Sequence, residues 1–197
     1  MLVKLAGTWE GIQAARVLEA EGIRTNITLV FSTAQAYAAG DAGAHLISPF
    51  PGRVLEWHKA EEGVDAYTQD EDPGVIAVRT SQEFFNANAM QTINMPASWR
   101  SSTGKDPLDQ ILALAGVDRM TIPPPLLASL ATTQAALPRR VSTARASSAP
   151  ARTPLSEPSF RFAMCVDGAA NDKLAAGIRS FLGDTEKLLS VLRAQLA

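Results

Sequence analysis

The chain has 197 residues, 46% of them hydrophobic, with 18 basic and 20 acidic side chains, enough for one sizeable core. A formal net charge of -2 and an isoelectric point near 5.7 exclude bulk electrostatic attraction to nucleic acid or to an anionic membrane. Cys165 is the only cysteine, so no intrachain disulfide forms; with no leader-like segment at the start and no run as long as a membrane span, the expected location is cytoplasmic.

In chain order, apolar runs at residues 2–6, 26–31, 45–48, 92–97 and 119–122 predict strands. Amphipathic stretches at 8–21, 33–39, 72–88 and 107–115 predict the helices between them. Gly22, Gly40 and Gly116 fall just past three of these, where a left-handed C-cap is common, and Asp72 before Pro73 reads as a helix opening. Such alternation means parallel strands joined by crossover helices. The repeat is near that of an eight-fold barrel of about 250 residues, so the expected class is α/β: a partial (β/α)8 TIM barrel of about five strand-helix units plus a C-terminal helix. A doubly wound sheet has the same periodicity, but neither a Gly-rich dinucleotide fingerprint nor a P-loop is present.

Residues 132–159 turn to Ala, Ser, Thr, Pro and Arg, and no acidic residue occurs between Asp118 and Glu157. Aromatic side chains for stacking on bases are missing there, so the segment reads as a solvated linker rather than a nucleic-acid arm. Residues 171–196 place Leu174, Ile178, Phe181, Leu182, Leu189 and Leu192 along one helical face, with a bend expected at Gly183. The expected organisation is a partial barrel over 1–134, an irregular segment over 135–168, and a helix over 169–197 that packs on the barrel.

Strand alternation puts Leu2, Lys4 and Ala6 on one face and Val3 and Leu5 on the other, so Lys4 would face the interior. Apolar surroundings favour a neutral amine, which is how lysines become Schiff-base nucleophiles toward carbonyls. The plainer reading is a lysine that lays its stem over apolar neighbours and keeps its ammonium in water. Barrel active sites are built at the C-terminal ends of strands. Lys4 lies on the first predicted strand, Asn26 and Thr28 share a face of the second, Ser48 ends the third with Arg53 following it, and Ser98 and Arg100 follow the fourth. Arginine forks suit phosphate oxygens, the hydroxyls and the amide suit a ketose, and the lysine suits its carbonyl, so a sugar phosphate fits the set. Singly, each has an ordinary alternative: Asn26 and Thr28 as local hydrogen-bond partners, the arginines as surface charges. His45 and His58 lack a second ligand at metal spacing and Asp70-Glu71-Asp72 reads as a helix cap, so no metal is expected.

Leu2-Val3-Lys4-Leu5-Ala6 with Thr8-Trp9-Glu10-Gly11, and Asn26-Ile27-Thr28-Leu29 with Phe31-Ser32 and Ala34-Gln35-Ala36, resemble transaldolase. So do Leu46-Ile47-Ser48-Pro49-Phe50 with Gly52-Arg53 and Trp57, Asp72-Pro73-Gly74-Val75, and Asp172-Lys173-Leu174 through Gly177-Ile178-Arg179. The resemblance implies a barrel enzyme of the pentose phosphate pathway that uses no metal or cofactor and moves a dihydroxyacetone unit between sugar phosphates. It implies Lys4 as the Schiff-base lysine, Asn26 and Ser48 as holders of the dihydroxyacetone hydroxyls, and Thr28 as the group beside a catalytic water. Arg53, Ser98 and Arg100 match the phosphate-binding set.

The sequence also departs from the family pattern. Met95-Pro96-Ala97-Ser98-Trp99-Arg100 stands where the family has Met-Gly-Ala-Ser-Phe-Arg, and Pro96 is expected to loosen the phosphate residues by removing a backbone donor. Residues 101–109 look longer than the family's connection. The family's first three strands, with an aspartate, an asparagine and the acid-base glutamate, would precede Met1, and without that glutamate carbon-carbon cleavage is expected to fall by about 10² to 10⁴-fold. Residues 2–6 and 119–122 would then be unpaired edges, inner apolar positions would lie open, and a homo-oligomer or a complementing N-terminal fragment would be the natural partner. The expected function is an impaired transaldolase-like transferase; the alternative is a non-catalytic fragment that binds sugar phosphate or another protein. Neither nucleic acid nor a membrane is expected as a partner.

Overall fold

The computed structural model describes residues 1–134, 136–142 and 152–196. Strands β1 (Val3–Ala6), β2 (Thr25–Val30), β3 (Leu46–Pro49) and β4 (Ile93–Asn94) form a four-stranded sheet in the order β1-β2-β3-β4, every neighbouring pair parallel. Strands laid down in sequence order wind one way, as in an arc of a β/α barrel, whereas a doubly wound sheet reverses at a switch point. The topology therefore separates the two architectures that share one periodicity.

Helices α1 (Trp9–Ala20) and α2 (Thr33–Asp41) follow the first two strands. Thr8 caps α1 by accepting from the Gly11 amide, and Ser32 and Gln35 close a reciprocal capping box at the start of α2. Ile12 and Ala15 of α1, Ile27 and Ile47 of the sheet, and Ala36 and Ala39 of α2 share one core. At the opposite end of the sheet, one Glu19 oxygen accepts from the Thr25 amide and hydroxyl and from the His45 amide, which joins the starts of β2 and β3. After β3 come α3 (Pro51–Glu62) and α4 (Pro73–Ala87); after β4 come α5 (Asp109–Ala113), α6 (Pro124–Thr132), α7 (Glu157–Val166) and α8 (Gly168–Leu196).

Several features differ from the sequence expectations. Residues 119–122 are not a fifth strand, although the Arg119 amide reaches Asn94 O at 3.3 Å and the Thr121 amide reaches Pro96 O at 3.0 Å. The cause lies on the outer edge of β4: the Asn94 amide is taken by the Asp118 carboxylate, and Pro96 has no N–H to offer. The same geometry removes the expected harm of Pro96. Met95 and Ala97, on either side of it, donate to Ile47 O and Pro49 O of β3, so the proline nitrogen faces the edge and the ladder to β3 is intact.

Helix α7 lies inside the span expected to be irregular, where Ser156 caps the helix and buried Phe160 meets Trp9 at 5.6 Å between ring centres. Gly40 is no C-cap but sits within α2, close against Phe85 and Met90. Helix α8 runs without a break through Gly183. The stretch 143–151 of the Ala/Ser/Pro/Arg segment lies outside the described residues. Leu174 and Ile178 of α8 pack on the core, whereas Leu182, Leu188, Val191 and Leu192 are exposed. Among the described residues, no helix is long and apolar enough to cross a membrane.

Candidate functional site

In the sheet, Lys4 is paired with Asn26 and Thr28 with Ser48. Paired residues on parallel neighbours point to the same side, so Lys4, Asn26, Thr28, Leu46 and Ser48 share one face. The Ser48 hydroxyl donates to Asn26 Oδ1 at 2.9 Å, which fixes both groups. Asn26, Thr28, Leu46 and Ser48 are all buried, contrary to the expectation of an open inner wall; only β1 is exposed, through Val3 and Lys4. Lys4 is accordingly not the interior lysine expected from strand alternation, because β1 is the edge of this sheet. Its Nζ lies 5.8 Å from the centre of the Phe181 ring on α8. The Thr28 hydroxyl, in a residue only 3% exposed, finds no hydrogen-bond partner among the described residues.

A bulge shapes the C-terminal end of β2. The register with β3 shifts between Thr28 and Val30, and Leu29 adopts φ 57°, a left-handed backbone unfavourable for a bulky side chain. Gln35, fully buried, holds the kink: its Nε2 donates to Leu29 O and Gly7 O, and its Oε1 accepts from the Phe31 amide. The Leu29 side chain packs beneath Gly177 of α8, where any Cβ would come within 2.6 Å of it. One buried amide therefore ties the ends of β1 and β2 together under α8.

The phosphate candidates gather at the ends of β3 and β4. Ser98 has φ 65° and Arg100 is exposed. Gly52, the second residue of α3, lies so close to this segment that a Cβ would be 2.1 Å from Ser98 O and 2.8 Å from Arg100 Cγ. Arg53 follows directly, its guanidinium carbon 4.9 Å from the centre of the Phe50 ring. Phe50 gives α3 no side-chain cap and Pro51 carries no N–H, so the positive end of the helix dipole adds to the arginines there. Arg100 Nε donates to Glu56 one turn further along α3, an exposed ion pair that an incoming anion would compete with. A wide surface hollow of about 700 Å³ beside Thr103 and Lys105 contains none of the candidates and is rimmed by Asp70 and Glu71, which disfavours anions.

The structure thus joins Asn26 to Ser48 and lines Lys4 and Thr28 up with them, and it packs Gly52, the residue before Arg53, against Ser98 and Arg100. Glu56, Gln35 and Phe181 were not found by sequence reasoning. Only Gln35 left a readable signal, the Ser-x-x-Gln spacing of a capping box.

The family model described as transaldolase/fructose-6-phosphate aldolase matches residues 1–192. A transaldolase of Alteromonas mediterranea is 45% identical over 197 residues, covering 100% of this chain and 60% of that protein. Transaldolases of Aeromonas salmonicida, 47% identical over 197 residues, and Rhizobium etli, 46% over 196, each cover 100% of the chain, which takes up 60% and 59% of their lengths. The chain spans about 60% of the length of these curated relatives. It belongs to the transaldolase/fructose-6-phosphate aldolase family.

Proposed function

We propose that this chain carries the dihydroxyacetone-handling and phosphate-gripping parts of a transaldolase site, transferring a three-carbon ketol unit between sugar phosphates through a Schiff base on Lys4. The observation that carries the reading is the register: Lys4 beside Asn26 and Thr28 beside Ser48 on one sheet face, with Asn26 and Ser48 hydrogen-bonded to each other. In this reading the amine of Lys4 adds to the ketose carbonyl and water leaves, giving an iminium. Loss of the O4 proton then breaks the C3–C4 bond; the aldehyde departs and the bond's electron pair is held as an enamine. The enamine carbon adds to an acceptor aldehyde, the new alkoxide takes up a proton, and hydrolysis frees the product. Asn26 and Ser48 hold the hydroxyls of the bound fragment. The unpartnered Thr28 hydroxyl supports a place for a water beside them. Arg53, Ser98 and Arg100, with the start of α3, take the phosphate. Sugar phosphates as substrates, use in carbohydrate metabolism and a cytoplasmic setting belong to this reading.

The experiment is transfer from fructose 6-phosphate to an acceptor aldose phosphate, read as release of glyceraldehyde 3-phosphate. The reading expects release that Lys4→Ala abolishes. One observation favours a second reading: Lys4 is exposed while Gly52, next to Arg53, packs tightly on Ser98 and Arg100, which suits a protein that binds sugar phosphate without turning it over. Saturable fructose 6-phosphate binding with no release would support that reading over the first.

A further inference from the structure

We propose that Gln110 and Asp72 are positioning residues for the phosphate-gripping segment 98–100, held in a closed ring of contacts that runs through the starts of α3 and α4. This rests on the reading that Ser98 and Arg100, with Arg53, take the phosphate. Gln110 is fully buried on α5; its Oε1 accepts from the Arg100 amide at 2.8 Å, and its Nε2 donates to Asp72 Oδ2 at 2.9 Å. Asp72, also fully buried, accepts from the Ser102 hydroxyl at 2.6 Å on the same oxygen and from the Gly74 and Val75 amides on the other.

The ring then closes through two glycines. Gly74, two residues after Asp72, presses on Pro51, with a Cβ position only 2.2 Å from Pro51 O. The next residue, Gly52, presses on Ser98 O and Arg100 Cγ. From Arg100 the path returns through Gln110 to Asp72.

Such a ring does something the individual bonds do not. Ser98 is held at a positive φ that it would not keep in a free loop, and the chain direction at Arg100 is set by a bond to its backbone rather than to its side chain. The guanidinium, which donates to the exposed Glu56 carboxylate and to Trp99 O, can therefore exchange Glu56 for a ligand while its backbone anchor stays fixed. Gln110 suits the task because a neutral amide donates and accepts at once, bridging a backbone N–H and a carboxylate. A methyl-ended side chain or an ionised carboxylate cannot do both.

The test uses the full chain with Gln110→Leu and Gln110→Glu, both checked for a cooperative melt. Fructose 6-phosphate and inorganic phosphate are titrated by calorimetry, and borohydride trapping of unphosphorylated dihydroxyacetone on Lys4 is followed in parallel by mass spectrometry. The expected result for Gln110→Leu is affinity for both phosphorylated probes about tenfold weaker, with trapping of dihydroxyacetone within twofold of the unsubstituted chain. Gln110→Glu keeps the acceptor for the Arg100 amide and donates to Asp72 only when protonated. Its affinity relative to the unsubstituted chain at the same pH is therefore expected to recover as pH is lowered. Equal loss of phosphate affinity and of trapping would show a general structural role and overturn the inference, as would unchanged phosphate affinity in a folded Gln110→Leu. If the unsubstituted chain binds neither phosphorylated probe, the underlying phosphate reading fails and takes this inference with it.

Discussion

Replacing Gly52 with alanine sets two predictable effects against each other. In an exposed helix, glycine to alanine gains about 1 kcal/mol from propensity alone. At Gly52, however, the added Cβ would lie 2.1 Å from Ser98 O, 2.8 Å from Arg100 Cγ and 3.0 Å from the Trp99 carbonyl carbon. The first of these contacts is with backbone, so it cannot be relieved by turning a side chain; α3 or the segment 98–100 must retreat by about 1 Å. Because the contact is with backbone, the overpacking belongs at the upper end of its usual range, about 3 kcal/mol, which outweighs the propensity gain and leaves a net loss of about 2 kcal/mol. The retreat also separates Arg100 from Arg53, and a misplacement of this size weakens binding by about tenfold or more. Urea unfolding of Gly52→Ala measures the stability and calorimetric titration with fructose 6-phosphate measures the binding. A midpoint equal to or above that of the unsubstituted chain, with unaltered affinity, would refute the packing account.

The β2 bulge predicts an inverted order of substitutions: Leu29→Ala loses about 2–5 kcal/mol of buried packing, but Leu29→Gly, free of strain at φ 57°, should be about 1 kcal/mol more stable than the alanine variant. Chemical denaturation of both variants decides it, and alanine ahead of glycine would contradict a strained Leu29. At Asp109, burial pushes the carboxyl up, but hydrogen bonds from Thr103, Ser101 and Gln69 outweigh it and hold the group below its ordinary value of 3.8. Because the folded value is the lower one, this stabilisation is complete above the ordinary value and is lost as pH falls through the folded value. Asp109→Asn should therefore flatten the acid limb of the stability curve below about pH 4, and an unchanged limb in thermal melts from pH 5 to pH 2 would count against this role.

The elements read correctly from sequence were those with a local signal strong enough to survive tertiary context. Strands β1 to β3 are short β-branched or leucine-rich runs, and α1, α2, α4 and α5 each show an amphipathic stripe. Helix α3 escaped because it opens on Pro51 straight after the strand and carries Glu56, His58 and Lys59, so no clean stripe appears. Helix α6 opens inside Pro123-Pro124-Pro125, which looks like a break although Pro is well suited to a first turn. Helix α7 was hidden by the Ala/Ser/Arg composition upstream, despite Ser156 at its cap, Pro158 in its first turn, and Phe160 and Met164 one turn apart. At the candidate site, residue types, strand positions and family resemblance nominate Lys4, Asn26, Thr28, Ser48, Arg53, Ser98 and Arg100, and the structure adds the register of the first four and the packing of Gly52 on Ser98 and Arg100. What holds them was not readable, because Gln35, Asp72 and Gln110 act through bonds between segments that are distant in sequence. The exposure of Lys4 follows from the edge position expected for residues 2–6, which strand alternation taken alone does not reveal.

The central claim is covalent, and the most direct measurement is covalent too. The chain is incubated with fructose 6-phosphate, reduced with borohydride, digested and mapped by mass spectrometry. The account predicts a stable adduct on the peptide that contains Lys4 and its disappearance in Lys4→Ala. An unmodified Lys4 peptide in a chain that binds the sugar phosphate, or an adduct that persists in Lys4→Ala, would contradict it.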